Sequence, residues 1–278
     1  MVGYLKGIET RCNSTRDAGR VWRIALQRTA RLAVASLLFV VAGEVSLAAE
    51  QSTQIALSTT DRAQPDTEQA PWYAIGRINT LNGFFCTGTL IGPREVLTAA
   101  HCLWDTVGKR WVSPTWLHFL AGYDRGSSVA QSQVVSYRLA ESYPDSVGTD
   151  LGHLSADWAI LTLAEPAGEI VGYLPFRIVG RQNLVDALDQ RVEVFQAGYN
   201  RDQDHMLSLN PGCAIVDFSV RGSLMAHTCG GANAGSGSPI LIQEDEGVFI
   251  VGLHVGVGNW QAVERGIAVT AAEFLGAR

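Results

Sequence analysis

The sequence predicts an all-β protein built as two six-stranded antiparallel β-barrels packed together, followed by a short C-terminal helix. Three observations carry that expectation. From Pro71 onward, apolar or alternating runs of four to eight residues recur, each broken by Gly, Pro, Asn or Asp. Glycine is abundant, at 29 of 278 residues, which suits many turns better than a helical bundle. The runs fall into two sets of about six, separated by a break near residues 165–190. A single large sandwich is the competing architecture. With 47% apolar and only 17% charged residues, the chain is globular rather than disordered.

The first set of runs covers residues 73–79, 84–92, 95–100, 116–123, 133–140 and 158–164. The second covers 191–199, 213–222, 238–243, 247–256 and 266–270. Residues 191–197 alternate polar and apolar, the period of a half-buried strand. The stretch QEDEG at 243–247 reads as a hairpin turn, and its acidic residues as a solvated face. Helix is scarce: QNLVDALDQ (182–190) and TAAEFLGAR (270–278) are the two candidates. The chain shows no internal repeat and no low-complexity tract.

The N-terminal 70 residues have a different texture. Residues 1–48 hold seven of the 21 basic residues but three of the 27 acidic ones. Their apolar run, Leu32 to Gly43, is too short for a comfortable membrane span and is followed by Ser46 and Ala48 at signal-peptidase spacing. Residues 1–48 are therefore expected to be a signal peptide, with an uncleaved anchor as the alternative. Residues 49–70 are polar and unpatterned, a pro-segment or flexible N-terminal arm. The expected mature domain is 71–278, split into 71–180 and 181–278. After loss of the signal it holds 14 basic and 24 acidic residues, a net of −10. Such a surface repels nucleic acid and anionic membranes, so neither is expected as a partner, and no stable membrane insertion is expected once the signal is removed.

Of five cysteines, Cys12 leaves with the signal segment, and Cys86, Cys102, Cys213 and Cys229 remain. An even number in an exported chain implies two disulfides, with three pairings possible. Sequence-local pairing would close two loops of about 15 residues, each worth roughly 3 kcal/mol in the chain-entropy model. No C-x-x-C pair or H-x-x-x-H exists, so neither a metal nor another cofactor is expected.

Three segments carry the chemistry. His101 ends the apolar run of LTAAHC. Asp157 stands at the mouth of the apolar strand in DWAIL, where a carboxylate must find a partner. Ser236 lies between Gly235 and Gly237 in GSGSP, where permissive backbone can turn sharply and aim its N–H groups inward. A serine is a poor nucleophile until a base takes its proton, imidazole suits that task near neutrality, and a buried carboxylate fixes the imidazole tautomer. Ser238 is the rival nucleophile, and Asp145 and Asp150 are the rival acids. The order His, acid, Ser is the reverse of an α/β-hydrolase.

These segments, in this order, resemble the chymotrypsin-like (trypsin-like) serine proteases, and the likeness extends to PWYAIGRI, FFCTGTLIG and FQAGYN. The resemblance covers about Pro71 to the C-terminus. It implies two barrels with the site between them, His101 as general base, Asp157 as its orienting acid and Ser236 as nucleophile. It also implies that Cys102 is tied to Cys86, clamping the loop of His101. The oxyanion hole would use the N–H groups of Ser236 and Ala234.

SGSP and GLHVG look closest to the bacterial glutamyl-endopeptidase-like branch. There, a histidine at the position of His254 helps bind an acidic substrate side chain, although Val257 replaces the small polar residue expected nearby. Gly230 and Gly231 belong to CGGANA (229–234), the segment expected to line the pocket. It offers no counter-charge for Lys or Arg. His118, His153, His205 and His227 read as structural or exposed.

Two departures matter. Gly235 replaces the aspartate that pairs with a freed N-terminus in the animal enzymes, so activation by that ion pair is not expected. Ala234 replaces a glycine and resists φ > 0. The expected function is an exported serine endopeptidase, secreted or periplasmic, acting on protein or peptide substrates as a monomer. The alternative is a catalytically weak binding protein on the same fold.

Overall fold

The computed structural model describes residues 69–80, 83–143, 151–181, 192–230 and 234–275. The expected signal segment, nearly all of the expected arm, the expected helix at 182–190, Asp145, Asp150 and Gly231 lie outside those residues.

Six strands form the first barrel: β1 (Ile75–Thr80), β2 (Phe85–Leu90), β3 (Glu95–Thr98), β6 (Leu117–Ala121), β7 (Ala130–Leu139) and β8 (Ala159–Leu163). They close in the order β1-β2-β3-β8-β7-β6, with every neighbouring pair antiparallel. β7 shows why this sequence makes such a wall. Ala130, Ser132 and Val134 point inward and are buried, while Gln131, Gln133 and Val135 point to solvent. A small hairpin, β4 (Trp104–Asp105) with β5 (Arg110–Trp111), stands outside the barrel. Two short helices, α1 (Leu151–Leu154) and α2 (Ala167–Val171), flank β8.

The second half contains β9 (Glu193–Asn200), β10 (Gln203–Cys213), β11 (Ile215–Phe218), β12 (Leu224–His227), β13 (Pro239–Glu244), β14 (Gly247–Trp260) and β15 (Val263–Thr270). Its sheet runs β10-β9-β13-β14-β15-β12-β11. The two edge strands, β10 and β11, are consecutive in the chain and separated only by Ala214. Counted as one bent strand, they bring the sheet back on itself with six strands. The bend leaves no backbone group unpaired at Ala214. Its N–H donates to Thr228 Oγ1 at 2.9 Å, and its carbonyl accepts the Thr228 N–H at 3.0 Å. The Cys213–Cys229 disulfide sits beside it. With β10–β11 taken as one strand, both halves share the circular order first, second, third, sixth, fifth, fourth.

The two halves differ from the sequence expectation only in detail. β10 and β12 fall where no strand was expected in full. β10 contains Asn210-Pro211-Gly212, a turn signature. The strand tolerates it because its pairing with β9 breaks register between Asn210 and Cys213, so the missing Pro211 N–H costs no ladder bond. All four residues of β12 are buried, so it shows no alternation to read. β14 runs on to Trp260 and turns through Gln261 (φ 50°) and Ala262 (φ 64°), left-handed positions that carry no Asn-Gly signal here.

One apolar cluster runs through both halves, from Ile75, Ile78, Leu97 and Phe119 to Phe195, Tyr199, Leu253 and Val269. A satellite cluster fills the far side of the second barrel. Trp72 packs edge-on against Phe195 at 5.7 Å, and the Tyr199 hydroxyl donates to the Tyr123 carbonyl at 2.9 Å. The expected C-terminal helix is α3 (Ala271–Leu275), whose Phe274 meets Trp158 and Phe176 of the preceding half. Among the described residues no helix is long and apolar enough to cross a membrane.

Candidate active site

His101 and Asp157 meet because of strand register. β3 and β8 are neighbours, with Thr98 opposite Ala159. The residues just beyond these two positions therefore emerge side by side. The chain leaves β3 into a 3₁₀ turn, Ala100–Leu103, anchored by buried Ala100 and Leu103. The Cys86–Cys102 disulfide ties that turn to β2, as the family resemblance implies.

Asp157 is only 3% exposed. Its carboxylate is satisfied from one residue twice over: Oδ1 accepts the His101 backbone N–H at 2.9 Å, and Oδ2 faces His101 Nδ1 at 2.7 Å. An ionised carboxylate can only accept, so the proton lies on Nδ1 and the Nε2 lone pair is free for chemistry. Tyr143 lies close by. Burial pushes its phenol pKa up, and the Asp157 charge adds to that rise. Its hydroxyl makes no hydrogen bond of normal geometry among the described residues.

The loop Ala234–Ser238 is held from both flanks. On the first, the Gly235 N–H donates to Asn200 Oδ1 at 2.8 Å, and the Ser236 carbonyl accepts the Thr87 N–H at 2.9 Å. On the second, the Gly237 N–H donates to the His254 carbonyl at 2.9 Å, and the His254 N–H donates to the Ser238 carbonyl at 2.8 Å. Glycine is required on both sides of Ser236. A Cβ at Gly235 would lie 2.1 Å from the Tyr199 carbonyl oxygen. One at Gly237, where φ is 81°, would lie 2.2 Å from that of Thr87.

Of the two serines, Ser238 is fully buried with its hydroxyl on Thr87 Oγ1 at 3.3 Å, whereas Ser236 is half-buried and lines a cavity. That cavity, of about 390 Å³, is also lined by His101, Ala234, His254, Gly256 and Val257. Gly230 turns at φ 76° against Gln196 and Ala234. Cys86, His101 and Cys102 come close enough to resemble a metal cluster, but both sulfurs are spent in the disulfide and offer no thiolate.

His254 is buried and stands beside buried His227, with His227 Nε2 and His254 Nδ1 3.1 Å apart. The Cys229 N–H donates to His227 Nδ1 at 3.2 Å, which makes that nitrogen an acceptor. The His227 proton is thus on Nε2, donated to His254 Nδ1, and the His254 proton is on its own Nε2. Burial holds His227 well below the usual histidine range, with the neighbouring His254 adding to the effect. Burial, then the proximity of His101, pulls His254 down to about 4. Both rings are neutral near pH 7. His118 and His205 are exposed, as expected.

Sequence reasoning did not single out Asn200 or Thr87, and it read His227 as structural or exposed without its pairing to His254. No local pattern marks them: Asn200 lies 35 residues from Gly235, and Thr87 lies 151 from Ser238.

Comparison with known proteins gives a consistent picture. The family model described as Trypsin matches residues 59–204, just over half of the chain and inclusive of His101 and Asp157. A protein named Glutamyl endopeptidase from Bacillus licheniformis is 32% identical over 134 residues, 46% of this chain. The aligned part spans 38% of that relative's length. A solved Glu endopeptidase in complex with MPD superposes with a TM-score of 0.60 at 23% identity, over 78% of this chain and 95% of that one. This last likeness concerns the fold.

Proposed function

The chain belongs to the trypsin family of chymotrypsin-like serine proteases, and from that premise we propose that it is an exported serine endopeptidase that cleaves after acidic residues. The observation that carries the reading is the His101–Asp157 pair, doubly hydrogen-bonded, opening on the same cavity as Ser236.

In this reading Ser236 Oγ attacks the scissile carbonyl carbon while its proton passes to His101 Nε2. Asp157 stabilises the imidazolium without taking the proton. The N–H groups of Ser236 and Ala234 receive the oxyanion, worth about 3 kcal/mol per donor. The C–N bond then breaks, and His101 returns its proton to the leaving amine. Water, deprotonated by the same nitrogen, hydrolyses the acyl-enzyme and restores Ser236.

The acyl side of the substrate has a rail to lie on. β13 pairs with β14 only as far as Pro239 opposite Leu253. Beyond that point this edge of β14 has no strand neighbour among the described residues, and Gly256 and Val257 line the cavity. An extended peptide can add there as a further strand.

His254 supplies the selectivity. Its Nδ1 is occupied by His227, so it presents an N–H donor, which suits an acceptor side chain. The similarity to a protein named glutamyl endopeptidase supports the same assignment. Two formed disulfides support an oxidising compartment outside the cytoplasm. Ala234, where the family has glycine, favours a second reading, a folded binding protein of weak activity.

One experiment separates the two: digestion of a peptide library by the parent and by Ser236→Ala, read by mass spectrometry. The expected result is cleavage after Glu or Asp by the parent and a loss of at least about 10⁴-fold in Ser236→Ala, with unchanged melting. Normal turnover by Ser236→Ala would end the endopeptidase reading. A preference for Lys or Arg would end the pocket assignment.

A further inference from the structure

We infer that the cavity continues past the scissile bond into a second subsite, formed by Phe84, Trp104 and Arg201, that takes an acidic residue from the leaving-group side of the substrate. The inference rests on the endopeptidase reading above and names which substrates that site favours.

The two flanks of the Ser236 loop define the two directions of a bound peptide. Residues after Ser236 rest on β14, which carries His254, Gly256 and Val257. Gly235, before it, rests on the end of β9 through Asn200 and Tyr199, and the Ser236 carbonyl itself accepts from Thr87 of β2. With the acyl part on the β14 flank, the leaving group must depart toward the other. From β2, the turn tied to it and the residue just past β9, the cavity is lined by Phe84, Phe85, the Cys86–Cys102 bridge, Trp104 and Arg201.

Two parts of this wall, Phe85 and Trp104, are braced. Arg201 stands in the turn between β9 and β10, next to Asn200, which is 2% exposed. The Arg77 guanidinium lies over the Phe85 ring at 4.2 Å and donates to the Asp204 carbonyl at 2.7 Å. It therefore joins the β1–β2 hairpin to the segment just after Arg201. Trp104 is braced edge-on by Trp111 at 5.1 Å. Phe84, by contrast, is 63% exposed, an apolar face with no cover.

Charge selects the occupant. Among the described residues no Asp or Glu lines the cavity, and Arg201 is the one permanently charged side chain that does. Arg77, Arg110, Arg125, Arg177 and Arg181 are each paired with a carboxylate. Arg201 has no such partner among the described residues. A free guanidinium above an apolar floor, in a cavity without carboxylates, is complementary to an acidic side chain whose stem packs on Phe84 or Trp104.

The test uses quenched fluorescent peptides with Glu fixed before the scissile bond. Glu, Gln or Lys is placed at the first or second position after it. The parent is expected to favour Glu over Gln by about fivefold in kcat/KM at low salt, with Lys poorer still. Roughly 0.5 M salt should shrink the preference. Arg201→Ala should bring the Glu/Gln ratio near 1, and Arg201→Glu should favour Lys. Arg201 is exposed, and circular dichroism verifies the fold of each variant.

A parent indifferent at both positions overturns the proposal, as does an Arg201→Ala that keeps the preference. So does an Arg201 variant that changes selectivity before the bond rather than after it. Hydrolysis of no peptide at all overturns the reading of an endopeptidase that cleaves after acidic residues and this proposal together, whereas active but indifferent enzyme overturns this proposal alone.

Discussion

A carboxylate as buried as Asp157 is tolerated because His101 meets it with two donors, one from the backbone and one from the ring. The neutral pair His227–His254 solves the opposite problem, keeping two buried bases uncharged. That solution has a consequence for acid stability. A histidine in the unfolded chain titrates near about 6.5. In the fold His254 is pulled down to about 4, and His227 lies well below its ordinary value. As pH falls from about 6.5 toward 4, the unfolded chain takes up protons that the folded chain refuses. Stability is thus full above the upper limit and declines as pH falls through the window. Urea unfolding from pH 7.5 to 4.5 should show this decline, and His254→Asn should reduce its slope. An unchanged slope would refute the linkage. The sequence made His101, Asp157 and Ser236 legible because each sits in a short motif. It hid the pairing of His227 with His254 and the role of Asn200, contacts that only the folded chain creates.

At the scale of elements, the turn carrying His101 is short and leans on a cross-link. Ala100–Leu103 has no side-chain cap, and the Cys86–Cys102 bridge fixes it to β2 across 16 residues. Replacing both cysteines by serine should cost about 3 kcal/mol of stability by freeing the loop in the unfolded chain. It should also lower kcat, by up to about 100-fold, because small displacements of a catalytic base are severe. Denaturant melts and peptide turnover measure the two effects separately. A stability loss with kcat intact would show that the turn holds its own shape. The same scale shows where sequence patterns fail. All six strands of the first barrel were readable from alternation or apolar runs, since each is bounded by Gly, Pro or polar residues. In the second, β10 carries Asn210-Pro211-Gly212 across a register break, and β12 is buried on all four residues. A bulge and a two-sided burial both erase the period on which such a reading depends.

Across the whole molecule, the same circular strand order occurs twice without a visible sequence repeat. What the two barrels share is therefore connectivity and burial, not residue identity. They are also not independent, since one apolar cluster threads both. Phe274 of α3 is a test of that union. It is 1% exposed and packs on Trp158, the residue directly after Asp157, and on Phe176 in the connection between barrels. Removing its ring should leave a cavity costing about 3–5 kcal/mol. If the shared core couples the barrels, Phe274→Ala unfolds in one transition, with tryptophan fluorescence and far-ultraviolet circular dichroism shifted to the same lower midpoint. Activity should fall with stability at intermediate denaturant, because Asp157 is anchored through its neighbour Trp158. Two separated transitions, with one barrel persisting after the other has melted, would mean that the common core is a contact surface between autonomous units. The His101–Asp157 pair, both members carried by the first barrel, would then survive the loss of the barrel that holds Ser236.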